Sequence, residues 1–423
     1  MQETLDRLIR EVLHEDPQVW AGSWVVYAAA LLAVGFGLTV FGALVAGLTS
    51  WWERRIAARM QSRIGPNRVG PQGTLQFLAD ALKLIVKEDL VPPESDQMLF
   101  RIAPYFVMTG FALTFVVLPF GYHLSATRMN VGLFYLIAVT ALVVVGIMLS
   151  GWASNSKWAL FGGMRAAAQV VSYEIPGGML ALVPILMAGS LDLHEIIRAQ
   201  GGFPWDWFVF QTPWGFIAFF LFFATQLAEG NRTPFDLPEA ESELVAGYMT
   251  EYSGIRFGYY FLAEWGNLWV MSAVISTLFL GGWQVPFVSA ETLAGWEAAG
   301  TVPVAFYGVS TAVFVTKVVV LMNVIIWVRW TLPRIRVDQM MSVCWKYLVP
   351  IGMGLVLLAA LTEVLSFQLF GNAAKGQAPL GTPRGALHLA FFAVAGAVPT
   401  VLFFRKIFRN IRLTGDRIDL TNW

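Results

Sequence analysis

The chain is poor in the residues on which redox and nucleotide chemistry ordinarily depend. It carries one cysteine, Cys344, in 423 residues. A lone thiol closes no intrachain disulfide, and an iron–sulfur cluster usually takes four thiolates, so no cluster is expected here. Histidine occurs four times, at His14, His123, His194 and His388. All four fall outside the hydrophobic stretches or near their outer ends, which argues against facing pairs for a mid-membrane haem, and no metal site is expected. A glycine-rich strand–turn–helix fingerprint for flavin or nicotinamide is also missing. Charged residues make up 13%, with 28 basic against 28 acidic side chains, which leaves no basic stripe of the kind nucleic acid requires.

Apolar residues, by contrast, make up 57% of the chain. Crossing a bilayer takes about 20 consecutive apolar residues, and five charge-free stretches qualify: 17–52, 102–127, 129–156, 207–228 and 265–290. Four more qualify if one ionisable residue is tolerated in or beside each: Glu174 ahead of 175–191, Lys317 within 298–328, Glu363 within 347–374 and His388 within 385–404. The predicted fold class is therefore all-α, a polytopic transmembrane bundle of about nine helices with interfacial amphipathic helices. Basic residues set the orientation. With the N-terminus outside, the inner segments 51–103, 152–168, 230–258, 329–346 and 404–423 hold 21 of the 28 Lys and Arg, so the C-terminus is placed in the cytoplasm. Residues 1–20 read as an external amphipathic extension without the basic n-region of a cleaved signal. Residues 21–374 read as an eight-helix core, and 385–423 as an extra helix with a basic tail.

The ionisable residues are concentrated rather than scattered. From Glu229 to Gly254 the chain reads EGNRTPFDLPEAESELVAGYMTEYSG, six carboxylates (Glu229, Asp236, Glu239, Glu241, Glu243, Glu251) against one cation, Arg232. A charge at bilayer depth costs roughly 2.5–3.5 kcal/mol even on the lenient insertion scale. Glu229 ends one hydrophobic stretch, Glu264 sits inside the next (GYYFLAEWGNLWVMSAVISTLFLGGW), and Glu174, Lys317 and Glu363 add further ionisable groups at depth. Clustered acids at reduced dielectric titrate as coupled units and can hold or pass protons. The bland reading is an acidic cytoplasmic loop. Pro176, Gly177 and Gly178 after Glu174 are expected to distort that helix and open a hydrated cavity.

Two other segments carry polar chemistry. After the first stretch, WWERRIAARMQSRIGPNRVGPQG places Glu53, Arg54 and Arg55 at the membrane exit. The residues 74–90 (TLQFLADALKLIVKEDL) form an amphipathic helix with Leu75, Leu78, Leu82 and Ile85 on one side and Asp80, Lys83 and Lys87 on another. Such a helix lies flat in the interface, or roofs a lipid-accessible cavity. In VRWTLPRIRVDQMMSVCWKYLVP the default role of Arg334 and Arg336 is a cytoplasmic anchor; alternatively one of them faces the acidic segment.

These motifs together resemble the family of the quinone-site membrane subunit of NADH-quinone oxidoreductase, respiratory complex I. The resemblance rests on ERRIAARMQSRIGPNRVGPQG, LADALKLIVKED, SNSKWALFGGMRAAAQVVSYE, the acidic segment, FLAEW and RWTLPRIRVDQMM, in order over roughly residues 51–350. It implies a membrane subunit forming part of a quinone-binding cavity, where Glu53, Arg54, Asp80 and Lys83 meet quinone. Glu174, Glu229, Asp236, Glu239, Glu241, Glu243, Glu251, Glu264 and Lys317 would then form the proton relay, supported by Arg232, Arg334 and Arg336. The family's partners are the peripheral-arm quinone-site and iron–sulfur subunits, small membrane subunits and antiporter-like subunits. FMN and the clusters belong to those partners, and quinone is the substrate bound here. The chain is longer than the family core, which favours a bacterial plasma membrane over a mitochondrion. The ninth helix and the N-terminal extension depart from the family's eight-span core. Two other readings stay open: the equivalent subunit of a hydrogenase-type complex, and an independent proton-coupled transporter, for which an internal repeat would be expected.

Overall fold

The computed structural model describes residues 24–238, 241–299, 301–370 and 405. The expected N-terminal extension and the ninth stretch at 385–404 lie outside the described residues. Within them the chain is nearly all helical and contains no strand. Five helical segments are long and apolar enough to cross a membrane, 28–60, 132–153, 157–188, 304–331 and 337–365.

The main helices are α1 (Trp24–Met60), α2 (Gln76–Val86), α3 (Gln97–Thr114), α4 (Gly132–Ala153), α5 (Lys157–Ala188), α6 (Leu193–Ala199), α7 (Pro213–Glu229), α8 (Gly254–Phe279), α9 (Ala290–Ala299), α10 (Val304–Thr331), α11 (Val337–Val343) and α12 (Val349–Phe370). Local chemistry sets several ends. Asp96 caps α3, its Oδ1 accepting from the Met98 and Leu99 amides at 3.2 Å. Thr212 caps α7 through the Gly215 amide at 3.0 Å, with Pro213 in the first turn. These side chains satisfy amides that the first turn leaves without an intrahelical partner.

Helix α8 is the hub. It packs against α1, α3 and α10, and every residue from Leu268 to Phe279 is buried. Phe111 of α3, Phe115 just after its end, Trp269 of α8, Phe314 of α10 and Phe120 form a connected aromatic cluster. Aromatic pairs of this kind add about 0.5–1.5 kcal/mol each beyond area burial. On the other flank α5 packs against α4, α7 and α12.

Two expectations about helix limits are corrected. The charge-free stretch 265–290 is helical only as far as Phe279, and its helix begins upstream at Gly254, with Glu264 inside it as expected and paired with Arg232. Helix α5 is not broken beside Glu174; it runs unbroken through Pro176 and Pro184 from Lys157, so most of the expected inner loop 152–168 is helix. Proline at 176 removes the amide that would bond the Ser172 carbonyl four residues back. That carbonyl instead accepts the Cys344 thiol at 3.0 Å, supplied by the π-helical turn Cys344–Leu348. Because the freed acceptor finds a donor on a neighbouring element, the helix continues.

Candidate functional site

The amphipathic segment folds as α2, slightly shorter than the sequence indicates, and two glycines decide where it sits. The Phe77 ring rests on Gly47 of α1 so closely that a Cβ there would collide with it. Leu84 lies 3.0 Å from where a Cβ of Gly258 on α8 would be. Helix α2 thereby spans α1 and α8 and covers a cavity of about 520 Å³, walled by Ala43, Ala46, Leu78, Ile255, Tyr259 and Leu262 among others. Its polar residues include Arg54, Asp80 and Trp265. Arg54 Nη1 lies 2.5 Å from Asp80 Oδ2, and Gln76 Nε2 donates to the other Asp80 oxygen at 3.1 Å. Lys83 is exposed and does not line the cavity.

Behind Trp265 lies a buried ion cluster. Glu53 is 4% exposed and Arg232 1%, so both charges are almost fully removed from solvent. Arg232 Nη1 bridges Glu53 Oε2 at 3.4 Å and Glu264 Oε1 at 3.1 Å, and its Nη2 donates to the Glu264 carbonyl at 3.1 Å. Arg329, in the last turn of α10, pairs with Glu53 Oε1, and the Trp265 indole N–H donates to Glu53 Oε2 at 3.0 Å. Two carboxylates and two guanidinium groups balance formally. Buried charges persist only when paired and hydrogen-bonded in this way.

A line of polar groups continues inward from Glu264. A cavity of about 60 Å³ is lined by Glu264, Glu229, Asn231, Asn267, Thr140 and Tyr260 among others. A second, of about 30 Å³, is lined by Glu229, Glu174, Gln226, Asn267 and Thr140 with apolar neighbours. Glu229 borders both. Gln226 Nε2 donates to Glu229 Oε2 at 2.6 Å, whereas the buried Oε1 of Glu174 has no hydrogen-bond partner. The walls of both are mainly apolar, but the polar groups they share give partners for one or a few waters. The three cavities and the ion cluster therefore join Arg54, Glu53, Arg232, Glu264, Glu229 and Glu174 in one succession.

The start of the acidic segment is held against α5 by a residue that no sequence motif singles out. Gln169 is fully buried, and its Nε2 lies within 2.6–3.1 Å of the Ala228 carbonyl, the Asn231 side chain and the Phe235 carbonyl. On the opposite side the Ile335 amide donates to the Pro234 carbonyl at 3.0 Å.

A family model described as NADH dehydrogenase matches residues 33–360. The chain belongs to the NADH dehydrogenase family. The H-type subunit of NADH-quinone oxidoreductase from Anaeromyxobacter dehalogenans is 55% identical over 95% of both chains. The proteins of the same name from Chlorobium luteolum and Chlorobaculum parvum are 50% and 47% identical, covering 70% and 73% of this chain and 79% and 85% of theirs. The cavity, the ion cluster and the carboxylate succession all fall inside the NADH dehydrogenase match.

In this NADH dehydrogenase chain the other candidate residues take varied positions. Asp236 faces Arg334 at 3.7 Å. Arg336 is exposed, and its amide meets Gln339 Oε1 at 3.3 Å as part of the start of α11, so of the two arginines it is Arg334 that reaches the acidic segment. Glu243 is more than half exposed and pairs with Arg165 at 2.6 Å. Glu251 is half-buried and lines neither small cavity. Glu239 and the side chain of Glu241 lie outside the described residues. Lys317 is occupied elsewhere: its Nζ donates to the carbonyls of Leu280, Gly282 and Gln284 at 2.8–3.3 Å, over the Trp207 ring. It secures the end of α8 rather than joining the carboxylates. Arg329, Trp265 and Gln169 are the additions. All three sit in motifs that are prominent in the sequence, but no linear pattern pairs Arg329 or Trp265 with Glu53, or Gln169 with the acidic segment.

Proposed function

We propose that this chain is the membrane subunit of a proton-translocating NADH-quinone oxidoreductase that holds part of the quinone cavity and passes the effect of quinone reduction to a carboxylate relay. The observation that carries the reading is the adjoining of the α1–α2–α8 cavity to the Glu53–Arg232–Glu264 cluster through Trp265. The cavity walls are apolar and suit an isoprenoid substrate, and Arg54 offers a hydrogen-bond donor at their polar edge. Reducing a quinone takes two electrons and two protons, and electrons that arrive ahead of the protons place transient negative charge in the cavity beside a nearly dry, balanced set of ions. In such surroundings electrostatic effects are weakly screened. Glu264, Glu229 and Glu174 follow in order, with Glu229 placed to exchange protons through the water-sized spaces on both of its sides.

On this reading the N-terminus is outside and the C-terminus cytoplasmic, in a bacterial plasma membrane. NADH, FMN and the iron–sulfur clusters belong to peripheral-arm partners, and small membrane subunits and antiporter-like subunits receive the proton-coupled signal. Glu239, Glu241, Glu243, Glu251 and Asp236 would border the relay from the cytoplasmic side. Filling the cavity with Ala43→Trp tests the reading. The variant is expected to raise the quinone KM about tenfold or more, the scale on which lost pocket contacts of 1–3 kcal/mol register, while NADH oxidation by ferricyanide is unchanged. An unaltered quinone KM would refute the placement.

A further inference from the structure

Trp265 touches both the cavity and the buried ions. Its ring forms part of the cavity wall and lies 5.2 Å from the Arg54 guanidinium carbon in a cation–π contact. On its other edge the indole N–H donates to Glu53 Oε2 at 3.0 Å. Glu53 and Glu264 do not themselves line the cavity. Burial alone does not account for the bond to a carboxylate, because the buried indole nitrogens of Trp207, Trp214 and Trp283 have no hydrogen-bond partner.

We propose that Trp265 is a positioning residue that links occupancy of the cavity to the Glu53–Arg232–Glu264 cluster. The proposal rests on the reading of the cavity as a quinone site. Arg54 is shared between Asp80 Oδ2 and the Trp265 face. A quinone carbonyl that takes a hydrogen bond from Arg54 draws the guanidinium from both, and the indole loses the cation that fixes its tilt. Glu53 Oε2 is held by the indole and by Arg232. When the indole turns, Arg232 is left as its donor, and the grip of Arg232 on Glu264 changes in response. Hydrogen bonds to charged groups are strong enough for such an exchange to matter.

The test uses the assembled oxidoreductase in sealed membrane vesicles, with a short-chain ubiquinone analogue as substrate and ferricyanide as the acceptor that bypasses the cavity. Trp265→Phe keeps the ring over the cavity and removes the N–H. It is expected to leave ferricyanide reduction, which does not use the cavity, unchanged and to raise quinone KM less than Trp265→Leu does, while the protons moved per quinone reduced fall by half or more. Trp265→Leu removes the wall as well and is expected to raise KM at least about fivefold in addition. A full proton yield in Trp265→Phe overturns the proposal, as does an equal rise in KM in both variants with proton yield intact, which would make the residue a wall only. If Trp265→Phe fails to assemble, Arg54→Lys keeps the charge but loses the planar contact and is expected to lower proton yield; an unchanged yield there overturns the proposal. The underlying reading fails separately, through an unaltered KM in Ala43→Trp.

Discussion

Replacing Arg232 by methionine removes the cation that Glu264 and Glu53 share, at a point where solvent screens little. The side chains of Arg232, Glu53 and Glu264 are 1%, 6% and 10% exposed. Glu53 keeps Arg329 and the Trp265 N–H, but Glu264 loses its direct ion pair. Removing one partner of a buried pair typically costs about 3–5 kcal/mol, because the charge left behind remains desolvated. Arg232→Met together with Glu264→Gln removes both charges and leaves Glu53 with Arg329. The two substitutions should therefore couple by about 1–3 kcal/mol, the double variant being more stable than the sum of the single losses implies. Denaturant titration of the purified protein in detergent, run on wild type, both single variants and the double, gives this cycle. Additive losses, or an Arg232→Met loss below about 1 kcal/mol, would contradict the placement of Arg232 as a shared buried counter-ion.

Two further expectations concern packing and pH. Gly162→Ala on α5 puts a Cβ 2.7 Å from Gly247 Cα and the Tyr248 nitrogen, backbone that cannot rotate away. A loss of about 1–3 kcal/mol is expected, measured by the same titration, and a neutral result would mean that the acidic segment is not seated on α5. His194, at the start of α6, is buried and its ring meets Ser125 Oγ at 3.0 Å; burial lowers its pKa from 6.5 to about 4, with Asp192 opposing and Arg128 assisting. The unfolded chain therefore binds the proton first, so the contribution is complete above pH 6.5 and is lost as pH falls towards 4. His194→Gln should flatten the stability profile across that window; an unchanged slope would assign it to other groups.

The membrane bundle is legible in the sequence because long apolar stretches have few other solutions, and the carboxylates stand out because acids are conspicuous in an apolar chain. Charges and prolines are poorer guides to where its helices end. Glu264 lies inside α8 because Arg232 neutralises it, and α5 crosses Pro176 because Cys344 meets the freed Ser172 carbonyl. Both compensations come from residues distant in the chain. The same holds for the site. Arg54 and Asp80 are visible as members of neighbouring motifs, whereas the contacts of Glu53 with Arg329 and Trp265 span 276 and 212 residues. Lys317 illustrates the converse. Charge at membrane depth draws attention to it, yet three carbonyls beyond the end of α8 account for its position.

The most direct test of the central claim is the proton yield of Glu229→Gln in the assembled oxidoreductase, since Glu229 borders both small cavities between Glu264 and Glu174. Glutamine preserves the shape and a hydrogen bond to Gln226 but cannot carry a proton. Protons translocated per quinone reduced, measured in sealed vesicles, should fall to a small fraction of the wild-type value while NADH oxidation by ferricyanide continues at the wild-type rate. A wild-type proton yield in this variant would contradict a relay through Glu229.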